Sequence, residues 1–195
     1  METAVLLGPE TDPIGLRYIN ANRLTSIYGE ALSENLMIAT QGPKRNTFEN
    51  VWRMVLQERC TMIVTLVHEI PGDCDEYFPK ESGSATFGSI EVTLVNKTQE
   101  SEFFVRRDFK VVNTQTQETL NVSHYWFTEW VDWQLPSGPS RNDLAKLVSK
   151  AASFVSENAK KSGNERERLL VHCRAGIGRT GTTLTLINAT IAIDE

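Results

Sequence analysis

The sequence predicts an α/β domain, a central mixed and twisted sheet flanked by helices, and three observations carry that reading. Two short runs, TMIVTLV at 61–67 and LLVH at 169–172, are β-branched and apolar, the composition of strands buried on both faces. Residues 47–58 and 141–160 repeat their apolar positions at helical spacing. Residues 85–130 hold strand-like runs separated by polar turns, the pattern of an antiparallel meander.

Taken in chain order, Phe48, Val51, Trp52, Val55 and Leu56 fall on one stripe behind Thr47, which predicts an amphipathic helix with Thr47 as N-cap and its apolar side on the sheet. The run 61–67 is then a central strand. Three meander strands follow, in ATFGSIEVTLV, EFFVRRDFKVV and ETLNVSHYWFTEW. Ser140 precedes a second helix that carries Leu144, Leu147, Val148, Ala151 and Val155 on one stripe, with Gly163 just beyond its lysine-rich end. After the strand 169–172 comes a glycine-rich turn and then TTLTLINATIAI, which periodicity does not assign and which a helix suits after such a loop. No internal repeat or linker divides the chain, so 1–195 reads as one domain.

With 40% apolar and 23% charged residues over 195 positions, the chain is a soluble globular domain rather than a collagen, a disordered tract or a membrane bundle. Twenty Lys and Arg against 25 Asp and Glu give a net charge of −5, which disfavours a general nucleic-acid binder. Any anionic ligand has to be captured locally. Cys60, Cys74 and Cys173 are odd in number and widely spread, suiting neither a disulfide framework nor a zinc site. A reducing compartment follows. The opening METAVLLGPE lacks the basic region and apolar run of a signal peptide, and no apolar stretch approaches the length of a membrane span.

The strongest local signal is the loop Val171-His172-Cys173-Arg174-Ala175-Gly176-Ile177-Gly178-Arg179-Thr180-Gly181. A thiol at the end of a buried strand, under loop amides and a helix N-terminus and near arginine, has a depressed pKa and is a competent nucleophile. Gly176 and Gly178 let the backbone curl so that its N–H groups converge, and Arg179 can hold two phosphoryl oxygens at once. Strand, tight loop and helix together make a site for a tetrahedral dianion. The loop is not a nucleotide-binding P-loop, because it lacks G-x-x-x-x-G-K-[ST].

At these residues the sequence resembles the protein tyrosine phosphatases, whose signature H-C-x-x-G-x-G-R-[ST]-G is matched in full by 172–181. Tyr18-Ile19-Asn20-Ala21-Asn22 is similar to the family's Y-I-N-A-N, Ile38 to Pro43 to its I-A-T-Q-G-P, and TFENVWRM at 47–54 to its T-x-x-D-F-W-R-M helix. These segments point to the tyrosine-specific branch. The resemblance implies a two-step, metal-free and cofactor-free hydrolysis of protein phosphotyrosine in the cytoplasm, or in the cytosolic part of a larger protein. It makes Cys173 the nucleophile that becomes a cysteinyl-phosphate, with Arg179 and the amides of Arg174, Ala175, Gly176, Ile177 and Gly178 on the phosphoryl oxygens. His172 would help keep Cys173 ionised, and Thr180 would ease departure of the thiolate. Trp130-Val131-Asp132 stands for the W-P-D loop, so Asp132 is the expected general acid and later base, and Trp133 the aromatic that closes over the substrate ring.

Three departures stand out. Val131 replaces the loop proline and frees the hinge. Asp73 stands near the place of a lysine that precedes Cys74 in the family. Arg174 adds positive charge at the rim, which favours acidic or polyanionic substrates such as phosphoinositides. The resemblance also places the family's recognition loop before residue 1 and its glutamine-bearing loop after residue 195, and so implies a catalytic domain lacking both. Two rival readings follow: a phosphotyrosine-binding pseudophosphatase, and a dual-specificity or lipid phosphatase.

Overall fold

The computed structural model describes residues 3–24 and 35–194. The elements are β1 (Ala4–Leu6), α1 (Ile14–Arg17), β2 (Tyr18–Leu24), β3 (Met37–Thr40), α2 (Phe48–Gln57), β4 (Cys60–Leu66), β5 (Ser84–Phe87), β6 (Ile90–Gln99), β7 (Phe104–Asn113), β8 (Thr119–Phe127), α3 (Pro139–Ala159), β9 (Arg168–His172) and α4 (Gly178–Asp194). The nine strands form one sheet in the order β1-β2-β3-β9-β4-β8-β7-β6-β5. Strands β3, β9, β4 and β8 run parallel, and the pairs outside them are antiparallel, so the sheet is mixed as expected.

Strand alternation divides the core in two. On one face Ile63 and Leu170 pack with Trp52, Val55 and other residues of α2. On the other, Met62, Val64, Leu66, Leu169 and Val171 pack against Leu147, Val148, Val155, Leu184 and Ile187 of α3 and α4. This is why 61–67 and 169–172 show no polar face: each is covered on both sides. Parallel strands finish at the same end of a sheet, so the loops after β3, β4, β8 and β9 are gathered there.

Several boundaries differ from expectation for physical reasons. The run ATFGSIEVTLV is a hairpin, β5 and β6, so the meander has four strands rather than three. Thr47 does stand at the N-cap of α2, but its hydroxyl bonds the backbone N–H and carbonyl of Lys44 instead, bracing a 3-10 turn at Arg45–Thr47. Helix α3 starts at Pro139, a residue whose fixed φ suits the first turn. Ser140 therefore lies inside α3 and donates to the Ser137 carbonyl at 2.8 Å. Gly163 opens a separate 3-10 turn rather than closing α3. The helical option for 182–193 holds, and α4 begins earlier, at Gly178.

A buried ion pair ties the N-terminal hairpin to α2. Glu58, whose side chain is 5% exposed, accepts from Arg23 Nε at 2.9 Å and Nη2 at 2.7 Å, while Arg168 donates to the Glu58 backbone carbonyl at 2.8 Å. Burial pushes the Glu58 carboxyl up, but the Arg23 and Gln57 hydrogen bonds and the nearby guanidinium charges hold it below the usual range. Arg23→Ala should therefore cost about 2–3 kcal/mol in urea unfolding at pH 7, because Glu58 is left buried with only the Gln57 hydrogen bond at 3.1 Å and the Arg168 guanidinium at 3.9 Å to offset its charge. A carboxylate with a lowered folded pKa stabilises above its unfolded value and loses that contribution as pH falls through the folded one. The gap between wild type and Arg23→Ala should accordingly narrow below about pH 4.5. A gap independent of pH would show that Glu58 is not the group involved.

Candidate active site

Strand β9 delivers Cys173 to the gathered ends of the parallel strands, and the loop 173–177 turns directly into α4. Cys173 is 3% exposed, whereas Arg174, Ala175, Ile177 and Gly178 are exposed and Gly176 partly so. The loop is thus a bowl with sulfur at its base. The Gly176 N–H donates to Cys173 Sγ at 3.3 Å. Burial raises the thiol pKa, but the Thr180 hydroxyl and N–H and the Gly176 and Ile177 amides outweigh it, so the net shift is downward. The Thr180 hydroxyl is fully buried and makes no hydrogen bond of good geometry. In contrast, burial pushes the Cys74 thiol up to about 12 and Cys60 further. Cys173 is the one thiol of the three poised to ionise.

The bowl is braced from β3. Gly176 has φ +75°, and a Cβ there would lie 2.4 Å from the Thr40 carbonyl oxygen, so only glycine fits. The Gly42 N–H donates to the Arg174 carbonyl at 2.9 Å, and a Cβ on Gly42 would lie 2.7 Å from the Cys173 carbonyl. Thr40 donates to the Asn20 carbonyl at 2.8 Å, and Asn20 Nδ2 to Gln41 at 2.9 Å. The two motif segments at 18–22 and 38–43 therefore hold the loop from below. Gly178 departs from expectation: its φ is not positive and a Cβ would meet nothing, so it opens α4 without needing glycine's freedom.

Arg179 is 5% exposed and carries the second feature of the site. Its Nη1 donates to Asp73 Oδ2 at 2.9 Å and to the Trp130 carbonyl at 2.7 Å, and Nη2 lies 3.4 Å from Asp132 Oδ1. Nε is buried and unpartnered. Asp132 is thus brought to the Arg179 guanidinium, with its side chain 40% exposed. Trp130 is buried and its indole N–H donates to the Gln134 carbonyl at 2.8 Å, closing a turn across Val131 and Trp133. Trp133 is 98% exposed with φ +62°, an uncommon backbone for a bulky residue, and in this conformation its ring packs over nothing.

His172 is 1% exposed. Burial lowers its pKa to about 4, so the ring is neutral at neutral pH. The expectation that it helps keep Cys173 ionised is corrected to that extent: it contributes no positive charge at neutral pH, and its Nδ1–H donates to the Cys173 carbonyl at 3.1 Å. With Nδ1 protonated, Nε2 is an acceptor and receives a hydrogen bond from the Tyr77 hydroxyl at 2.7 Å. His124 Nε2 lies 2.8 Å from Thr65 Oγ1, which is also 2.8 Å from His172 Nε2. The tautomer with a proton on His124 Nε2 is favoured, because the other leaves a buried N–H unmade at Nδ1. Thr65, Tyr77 and His124 were not singled out from sequence. A threonine within an otherwise apolar central strand was the available signal, since a buried hydroxyl requires a partner.

A groove of about 1010 Å³ lies elsewhere, between α3 and the meander, lined by Arg106, Ser123, Lys150 and Glu157 among others. It contains none of the residues placed around Cys173 and Arg179. Among the described residues there is no cluster of three metal-ligating side chains, and no helix is long and apolar enough to cross a membrane.

A family model described as protein-tyrosine phosphatase matches residues 2–195. The chain belongs to the protein-tyrosine phosphatase family. It is 34% identical over 158 residues to "Probable tyrosine phosphatase protein H4" of Microplitis demolitor bracovirus, covering 80% of this chain and 85% of that one. To tyrosine-protein phosphatase non-receptor type 5 of Mus musculus it is 36% identical over 172 residues, covering 87% of this chain and 29% of the relative. A solved structure of PTPN18, from work on its recognition of distinct HER2 tyrosine phosphorylation sites, superposes with a TM-score of 0.78 at 27% identity. That match covers 96% of this chain and 62% of the PTPN18 chain. This member of the protein-tyrosine phosphatases thus spans less than a third of the mouse relative and less than two thirds of the PTPN18 structure.

Proposed function

We propose that this chain hydrolyses tyrosyl phosphate esters in proteins, in two steps through a cysteinyl-phosphate. The observation that carries the reading is the buried sulfur of Cys173, its pKa lowered by the Thr180 hydroxyl and by the amides of Thr180, Gly176 and Ile177, at the end of a loop that leads into the buried, unpartnered Nε–H of Arg179. In the first step the Cys173 thiolate attacks phosphorus, the bond to the phenolic oxygen breaks, and protonated Asp132 gives its proton to the leaving oxygen. In the second, water attacks phosphorus, Asp132 takes a proton, the sulfur–phosphorus bond breaks and phosphate leaves. In this reading the Thr180 hydroxyl stabilises the departing thiolate. The loop amides and Arg179 hold the equatorial oxygens, where charge accumulates in a loose transition state. None of these steps calls for a metal. The relatives' names and the PTPN18 complexes with phosphotyrosine peptides support phosphotyrosine proteins as the substrate class. A thiolate nucleophile and three free cysteines suit the reducing cytoplasm.

The test compares release of phosphate from phosphotyrosine, phosphothreonine and phosphoinositide substrates. Preference for phosphotyrosine supports the reading; preference for the lipid, aided by exposed Arg174, would favour the lipid phosphatase. Binding without turnover would favour a pseudophosphatase. For Asp132, replacement by alanine should lower turnover of phosphotyrosine by about 10²–10³ and that of an activated aryl ester by less than about tenfold, since only the poor leaving group needs the proton. Equal losses on both would remove Asp132 from the role.

A further inference from the structure

A guanidinium offers five N–H donors in one plane, and it grips two oxygens side by side with a single edge. In Arg179 the two Nη1 hydrogens are taken, by Asp73 Oδ2 at 2.9 Å and the Trp130 carbonyl at 2.7 Å. The Nε–H, on the opposite side of the group, is buried without a partner. Nη2 meets Asp132 only at 3.4 Å, longer than a charge-assisted hydrogen bond. The Nε–Nη2 edge is therefore the one left for a ligand, and a buried N–H there is costly unless one binds.

We propose that Asp73 is a positioning residue for Arg179: by fixing Nη1 together with the Trp130 carbonyl, it holds the Nε–Nη2 edge toward the phosphoryl oxygens. The claim rests on the phosphatase reading and adds to it a residue that the signature does not contain. Asp73 is itself held, since Oδ2 also accepts the His68 N–H at 3.0 Å, and the His68 ring bonds the Thr128 carbonyl at 2.6 Å, at the root of the acid loop. Burial disfavours charge on Asp73, but the hydrogen bonds from Arg179 and His68 and the charges of Arg179 and Arg174 hold its carboxyl below the ordinary range. Rotation of the guanidinium would break a bond to one of two loops. A single nitrogen thus joins the loop after β4 to the loop after β8, in a chain where an aspartate stands near the place the family gives to lysine.

The test uses Asp73→Ala and Asp73→Asn. Loss of the carboxylate in Asp73→Ala should lower kcat on an aryl phosphate by about 10–100-fold and weaken inhibition by vanadate about tenfold, the cost of misplacing a bidentate group. Asp73→Asn keeps an oxygen acceptor in place and should remain within about fivefold of wild type. The pH profile of Cys173 alkylation by iodoacetamide should be unchanged in both variants. In an Arg179→Lys background, Asp73→Ala should add little, because the group it positions is gone. Unchanged kinetics in Asp73→Ala, tighter vanadate binding, or a shifted alkylation profile would each overturn the proposal. The second would make Asp73 a competitor for Arg179, and the third would trace the loss to the fold of the loop.

Tungstate binding to Cys173→Ser, with and without Asp73→Ala, is read by tryptophan fluorescence and needs no turnover. If wild type hydrolyses no phosphate ester, the phosphatase reading fails. Asp73 is judged separately: weaker tungstate binding in the double variant supports its role, and equal binding sinks it.

Discussion

Cys173→Ser should abolish turnover, lowering kcat by roughly four orders of magnitude or more, the scale of effect when a covalent nucleophile is removed. Serine preserves the size and burial of the side chain but not the chemistry. The Thr180 hydroxyl and the amides of Thr180, Gly176 and Ile177 lower the pKa of a thiol, whereas a hydroxyl starts so high that the same donors leave it protonated. The variant should still fold and bind phosphotyrosine, since the loop amides and Arg179 are untouched. Rapid acid quench of wild type should trap one phosphoryl group on Cys173, and the variant none. A second readout needs no substrate: iodoacetamide at pH 6–7 should modify Cys173 and spare Cys60 and Cys74, whose thiols burial pushes up. Equal turnover in the two proteins, or equal labelling of the three cysteines, would remove Cys173 from the role.

Arg179→Lys carries the next largest expectation, a fall in kcat of about 10³ on aryl phosphates, comparable with loss of an arginine at other phosphoryl-transfer centres. Lysine keeps the charge but has no planar edge for two oxygens and cannot reach Asp73, the Trp130 carbonyl and a phosphoryl group together. The effect should fall mainly on kcat, because the oxygens gain charge in the transition state. A comparable rise in KM with kcat preserved would mean that Arg179 serves ground-state binding alone. Circular dichroism guards against a trivial result, since Asp73 is left without its partner.

Much of this architecture was legible in the sequence, and for different reasons in different places. The strands 61–67 and 169–172 were readable because a strand covered on both faces has no room for polar alternation. The bowl was readable because cysteine, glycine and arginine at that spacing have few other uses. Helix edges and the β5–β6 turn were less so: Thr47 caps backward onto Lys44, and a glycine inside a β-rich run reads the same whether the chain goes straight or folds back. The polar partners of the site were the hidden part. Thr65, His124 and His172 are far apart in sequence, and only the parallel pairing of β4 with β8 and β9 sets them side by side, with Tyr77 reaching them from the segment after β4. Asp73 on Arg179 was likewise invisible, since a pairing across more than a hundred positions leaves no local pattern.

Strand β9 is inserted between β3 and β4, although it is made long after both. Until the ribosome has released Arg168–His172, the nascent sheet lacks the strand at its middle and leaves the facing edges of β3 and β4 unpaired, and such non-local pairing is intrinsically slow. The reactive sulfur rides on that last-arriving strand, and its acidity depends on a loop that forms only once the slot is filled. Synthesis order thus dictates that the anion-binding loop assembles last, after every other strand of the sheet has been made.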